Sequence, residues 1–174
     1  MNAAEKLCLA CGLCCDGSLF DNVRLAADED VAKLKSEGLP VKLSRAKIPV
    51  AFFTQPCRAL NSDCVCQVYE ARPMQCRSFE CRVFKEAVAG QIDFDKAHRL
   101  VSKARKQCDR VRRLLRKLGE MDERRSIGLR IRRVQRLVEA GMLDSNAADA
   151  YAELGLAVHQ LDLLAHKHFY TEEA

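Results

Sequence analysis

Cys8, Cys11, Cys14 and Cys15 form the run Cys-x-x-Cys-x-x-Cys-Cys near the start of the chain, and Cys57, Cys64, Cys66, Cys76 and Cys81 form a second group. Thiolates two residues apart are brought to one metal ion by a single tight turn. Gly12, directly after Cys11, suits such a turn, because a backbone N–H that approaches sulfur favours a residue without a Cβ. Cys14 and Cys15 are adjacent. In extended backbone, neighbouring side chains point to opposite sides, so this pair serves two metal centres, or bridges them, more easily than it chelates one ion. Together the two groups hold nine sulfurs, one more than two four-sulfur sites require.

An all-thiolate tetrahedral site suits either zinc or iron–sulfur. Three cysteines at this spacing are the ligand run of bacterial ferredoxin cubanes, although no Cys-Pro follows them here. The triplet leans towards an iron–sulfur cluster or iron, and the Cys11-Gly12 knuckle is equally at home with zinc. Inert core thiols do not account for nine clustered cysteines. A disulfide framework fits poorly with a chain that shows no export signal: Met1 to Lys6 carries one Lys, and Leu7 to Cys15 is short and filled with cysteine. A cytoplasmic, reducing setting is therefore expected, where clustered cysteines are metal ligands more often than disulfides. No run of 18 apolar residues is present, so no membrane span is expected.

The run Cys8 to Cys15, followed by Cys66-Gln-Val-Tyr69-Glu-Ala-Arg72-Pro73-Met-Gln-Cys76-Arg77, resembles the CxxCxxCC family of zinc- or iron-chelating cysteine-cluster domains. That family carries CxxCxxCC and then Cys-x-(Ile/Val)-Tyr-x-x-Arg-Pro-x-x-Cys-Arg. Both parts occur here in order, over roughly residues 8–85. The resemblance implies a soluble bacterial metal-binding protein, and similar domains occur in flagellin lysine N-methylases. It implies Cys8, Cys11, Cys14, Cys15, Cys57, Cys66 and Cys76 as ligands, with Cys81 as an eighth. Cys64 departs from the pattern and stands as an extra or alternate ligand. Arg72 and Arg77 flank Cys76 and are expected either to neutralise thiolate charge or to pair with Glu70 and Glu80. Tyr69 is expected as a core aromatic.

Apolar residues recurring at three and four predict the elements that position these thiols. A helix follows Asp93 and carries Ala97, Val101, Ala104, Cys108, Val111 and Leu115 to Gly119; a second runs from about Asp122 to Ala140. A third, capped by Asp144 or Ser145, carries Tyr151, Leu154, Val158, Leu161, Ala165 and Phe169. Asp28–Gly38 and Arg77–Gly90 read as short helices, Val50–Thr54 as a short strand, and the other cysteine segments as loops. The expected fold is mainly α: an irregular cysteine-rich metal-binding domain over residues 1–90, then a three-helix amphipathic extension, a hairpin or small bundle, over 91–174. Cys108 falls on the apolar stripe and is read as a core thiol.

Charge is unevenly spread. Residues 96–136 carry 16 basic and 4 acidic side chains, whereas residues 137–174 carry 1 basic and 7 acidic. Arg99, Lys103, Lys106, Arg110, Arg113 and Lys117 form one stripe opposite the apolar face, and Arg124, Arg125, Arg130, Arg132, Arg133 and Arg136 continue the charge. Such a surface suits the protein's own acidic segment, an acidic protein partner or nucleic acid phosphates. His98, His159, His166 and His168 lack a ligand pattern, and no nucleotide-binding, hydrolase or zinc-protease motif is present. The function expected is therefore metal binding, in electron transfer, metal handling or as an adaptor. An alternative is a structural-zinc adaptor whose basic helices bind nucleic acid or an acidic partner. A metal-dependent redox or methyl-transfer enzyme ranks third.

Overall fold

A computed structural model describes residues 3–142 and 147–171. It is mainly α: seven helices and one small sheet are present among the described residues. The first helix, α1 (Ala3–Cys11), includes Cys8 and Cys11, a segment expected as loop. Its Ala- and Leu-rich sequence favours helix, Leu7 is buried, and Gly12 at φ +67° ends it. A positive φ costs glycine nothing, which is why the chain turns at this residue towards Leu13 and Cys14.

Three short antiparallel strands follow: β1 (Asn22–Arg24), β2 (Lys42–Leu43) and β3 (Ala51–Thr54), with β3 in the centre. Only β3 is legible from the apolar run; β1 and β2 are too short to show alternation. Val23 lies opposite Phe53 in the register, and both are buried with Leu34, Leu39 and Val41 in a small apolar cluster. The helix expected over Asp28–Gly38 is α2 (Val31–Ser36). Its acids precede the first turn, and Asp30 is the cap, accepting from Lys33 N at 2.9 Å.

The single helix expected over Arg77–Gly90 is two, α3 (Met74–Ser78) and α4 (Arg82–Val88), separated by extended backbone at Phe79 and Cys81. On one unbroken helix Cys76 and Cys81 would lie about 140° apart around the axis. The break lets Cys81 turn to the thiols of the first run, and it seats Phe79 edge-on against Phe20, with ring centroids 5.0 Å apart.

The long helix α5 (Phe94–Lys117) starts at the Asp93 cap, which accepts from Lys96 N at 2.6 Å. α6 (Ile127–Glu139) begins five residues later than expected from Asp122. Ser126 caps it, while the Asp122 carboxylate is taken by Arg124 and Arg125 at 3.1 and 2.8 Å. α7 (Ala148–His168) packs along α5 through Ala150, Leu154, Ala157, Leu161 and Ala165; its predicted caps Asp144 and Ser145 lie outside the described residues. The main apolar core runs from Leu7 and Leu13 through Val83 and α5 to Phe169, and Cys108 is fully buried within it. No helix among the described residues is long and apolar enough to cross a membrane.

Candidate metal centre

All ten cysteines are free thiols. Cys14 and Cys15 lie just after the turn at Gly12, where Cys15 N donates to Gly12 O at 2.9 Å. The Cys15 carbonyl accepts from Cys57 N at 2.7 Å, which ties the first cysteine run to the second group. Cys66 is held by a bridge to Leu60, and Gln67 N donates to Ala59 O at 2.7 Å. Two side chains fasten α3, and with it Cys76, against β1. Gln75 Oε1 accepts from Arg24 N at 2.6 Å, and Glu29 accepts from Met74 N at 2.6 Å and from Ala26 N at 2.7 Å.

The thiols line two adjoining cavities. One, of about 290 Å³, is lined by Cys8, Cys11, Cys14, Cys15, Cys76 and Cys81. The other, of about 110 Å³, is lined by Cys8, Cys14, Cys15, Cys57, Cys64, Cys66 and Cys76. Among the described residues, no three Cys, His, Asp or Glu side chains close around one point tightly enough to hold an ion as they stand; the thiols face one another across these two cavities. A larger cavity of about 920 Å³ lies beyond the Phe20–Phe79 wall, and no cysteine lines it.

Packing divides the sulfurs. Cys11, Cys14 and Cys81 rest on the main helical core. Cys57 and Cys76 rest on the small cluster under the sheet. Electrostatics divide them the same way. Burial raises the Cys14 thiol well above its ordinary range, and Cys11 and Cys81 are the foremost neighbouring thiols that add to the rise. Burial also raises Cys15, but the thiols that act on it most are Cys76, Cys57 and Cys66. Adjacent in sequence, Cys14 and Cys15 thus belong to different neighbourhoods. Cys8 stands between them, acting on Cys11, Cys14 and Cys81 and also on Cys15, and is itself raised by burial and by Cys66.

Burial pushes Cys11 and Cys76 up to about 12 each, with nearby thiols adding to the rise at both. Several thiolates in so small a space repel one another unless a cation sits among them. The nearby carboxylates are committed elsewhere: Asp16 to Ser18 N and Arg112, and Glu29 to backbone amides. The donor set left is all sulfur, which fits zinc or iron–sulfur and not a hard cation. Arg72 lowers Cys8 and Cys76 by its charge while its guanidinium stacks on the Tyr69 ring, 3.4 Å from the centroid. Tyr69 therefore serves as a platform for Arg72 and is half-buried beside the thiols. Among the described residues, neither Arg72 nor Arg77 pairs with Glu70 or Glu80.

Cys64 is set apart. It sits at φ +62° in a loop wrapped round Asn61, whose Oδ1 accepts from Asp63 N and Val65 N at 3.0 and 2.8 Å. Its Cβ and Sγ come within 3.1 Å of where a Gly12 side chain would begin. Its sulfur accepts from Arg105 Nη1 at 3.3 Å, and the same nitrogen donates to Ala10 O and Cys11 O. Arg105 is the residue that sequence reasoning missed. With Arg112, seven residues on and bonded to Asp16 and Ser18, it lies off the basic stripe, on the face of α5 turned to the cysteines. That displacement from the stripe is the signal in the sequence.

A helical scaffold that gathers nine free thiols over two adjoining cavities defines a protein of the metal-chelating, cysteine-cluster class. The model of the CxxCxxCC family, described as "putative zinc- or iron-chelating domain", matches residues 7–109, and the chain belongs to that family. The matched segment ends within α5, one residue beyond Cys108. No curated protein and no solved structure gives a significant match.

Proposed function

We propose that the protein holds two all-thiolate metal centres, one on Cys8, Cys11, Cys14 and Cys81 and one on Cys15, Cys57, Cys66 and Cys76. The observation that supports this reading is that Cys11, Cys14 and Cys81 pack on the helical core and Cys57 and Cys76 on the sheet cluster, while the thiols that act most on Cys14 are Cys11 and Cys81 and those that act most on Cys15 are Cys76, Cys57 and Cys66. Cys15, Cys57, Cys66 and Cys76 already number four. Cys11, Cys14 and Cys81 lack a fourth, and Cys8, exposed at the rim, supplies it. Cys64 is left over, held by Arg105.

The Cys8-x-x-Cys11-x-x-Cys14 triplet favours iron–sulfur over zinc, and Arg72 supplies positive charge beside an anionic cluster. A bound cluster would supply one-electron redox chemistry. The chain's own contribution is to keep the sulfurs half-buried, to order them by the Cys57 N–Cys15 O bond and to limit access of water. Electron transfer or metal handling in a reducing compartment is the role that suits such a site. Elemental analysis and an absorption spectrum of anaerobically purified protein test the reading. Visible charge-transfer bands with bound iron are expected. Colourless protein fully loaded with zinc would replace iron by structural zinc, and metal-free protein would overturn the reading.

A further inference from the structure

The two basic runs of the sequence behave differently in the structure. Four of the six arginines after Lys117 have acidic partners within the protein. Arg124 and Arg125 share Asp122, Arg132 pairs with Asp21, and Arg133 pairs with Glu120 at 3.1 Å. Arg130 is buried, and Arg136 bonds the Arg132 carbonyl. The α5 stripe is not neutralised. Among the described residues only Arg110 has an acidic partner, Glu153 at 3.2 Å, while Arg99, Lys103, Lys106, Arg113 and Lys117 are exposed without one. α7 buries its alanine and leucine face and meets the stripe at one end of the trough, where Gln107 bonds Ala157 O and Arg110 bonds Gln160 and Glu153. The stripe lines a shallow trough of about 430 Å³, in which every side chain is a cation except Ser102 and Gln107.

We infer that this trough docks on the phosphate backbone of double-stranded nucleic acid without reading sequence. Interfaces that seat protein partners are built round buried apolar or aromatic anchors, and the trough has none. Single strands need a series of aromatic platforms for base stacking, and α5 has none beyond Phe94 and His98 in its first turns. What remains is a regular row of cations on a rigid rod. From Arg99 to Lys117 it runs about 27 Å, the length of about eight phosphates along one strand. Ser102 adds a neutral hydroxyl suited to phosphate oxygens, whereas the Gln107 amide is held by Ala157 O at 2.8 Å.

Binding of the full, metal-loaded chain to a fluorescein-labelled 16-base-pair DNA duplex, followed by anisotropy across a salt series, tests this. Micromolar or weaker binding is expected at moderate salt, with log K falling against log salt at a slope of about −4 to −5 for five contacts. Lys103→Gln/Lys106→Gln is expected to weaken binding at least about tenfold and to reduce the slope by about 2. Arg124→Gln/Arg125→Gln, in the paired run, leaves both unchanged. Poly-glutamate of equal charge competes at least about tenfold less well than unlabelled duplex. Absent binding at low salt, equal losses in the two double variants, or equal competition by poly-glutamate would each overturn the inference. Helicity by circular dichroism and unchanged metal content confirm that the variants are folded.

Discussion

Arg105 Nη1 lies 3.3 Å from Cys64 Sγ and 2.9 Å from the Cys11 carbonyl oxygen, so one guanidinium on α5 holds the ninth thiol and the end of α1 together. On the proposed division, Cys64, bonded to Arg105 in a loop shaped by Asn61, is the sulfur left over from two groups of four. Cys64→Ser is therefore expected to bind as much metal as the wild-type protein, measured as metal per chain, while Cys76→Ser loses about half. Arg105→Gln is expected to lower stability by about 1.5–3 kcal/mol, the range for hydrogen bonds that involve a charged group.

Gly17 sits at φ +75°, and a Cβ there would lie 2.9 Å from Ser126 Cα, which is backbone and cannot yield like a flexible side chain. Ile127 N also donates to Gly17 O at 2.8 Å, so this close approach is where the start of α6 meets the loop after Cys15. Gly17→Ala is expected to cost about 2–4 kcal/mol from the left-handed backbone and the clash together. For a chain of this size that lowers Tm by roughly 5–15 °C. A change under about 0.5 kcal/mol would show that the two segments separate freely.

Arg130 is 1% exposed, donates from Nη2 to Glu120 O at 2.8 Å, and leaves its Nε without a partner. Burial lowers its pKa from the ordinary arginine value. Arg130→Ala opens a cavity and strands the Glu120 carbonyl, and is expected to cost about 2–4 kcal/mol by denaturant unfolding. Arg130→Met fills the space without a buried charge and is expected to cost clearly less. Equal losses would mean that the charge, not the volume, holds the α5–α6 corner.

The three helices after Asp93 were legible because their signals are local, whereas α1 was hidden behind its cysteine spacing, which read as loop. The apolar period, the Asp93 cap and Gly119 place α5 almost to the residue, and the stripe that includes Cys108 is the buried one. Where tertiary contacts decide, sequence reasoning fell short. The break at Phe79 depends on Phe20, 59 residues away, and the start of α6 at Ser126 is fixed by the Ser126 hydroxyl donating to Asp21 and by Ile127 N donating to Gly17 O, both more than 100 residues away. Spacing alone singled out the cysteines and implied a division at Cys14–Cys15. Which thiols join which side depends on long-range packing, as Cys81 against the helical core and Cys57 against the sheet cluster show. The hold of Arg105 on Cys64 was hidden for the same reason, since 41 residues separate them.

The division of eight thiols into two groups of four is the central claim, and metal stoichiometry in two variants tests it most directly. Cys81→Ser removes a sulfur that rests on the helical core, and Cys57→Ser one that rests on the sheet cluster. Metal per chain is to be measured by elemental analysis after anaerobic purification of wild type, each single variant and the double variant. Each single variant is expected to retain about half of the wild-type metal and the double variant little or none. Complete loss in either single variant, or no loss in one of them, would contradict two independent centres divided between Cys14 and Cys15.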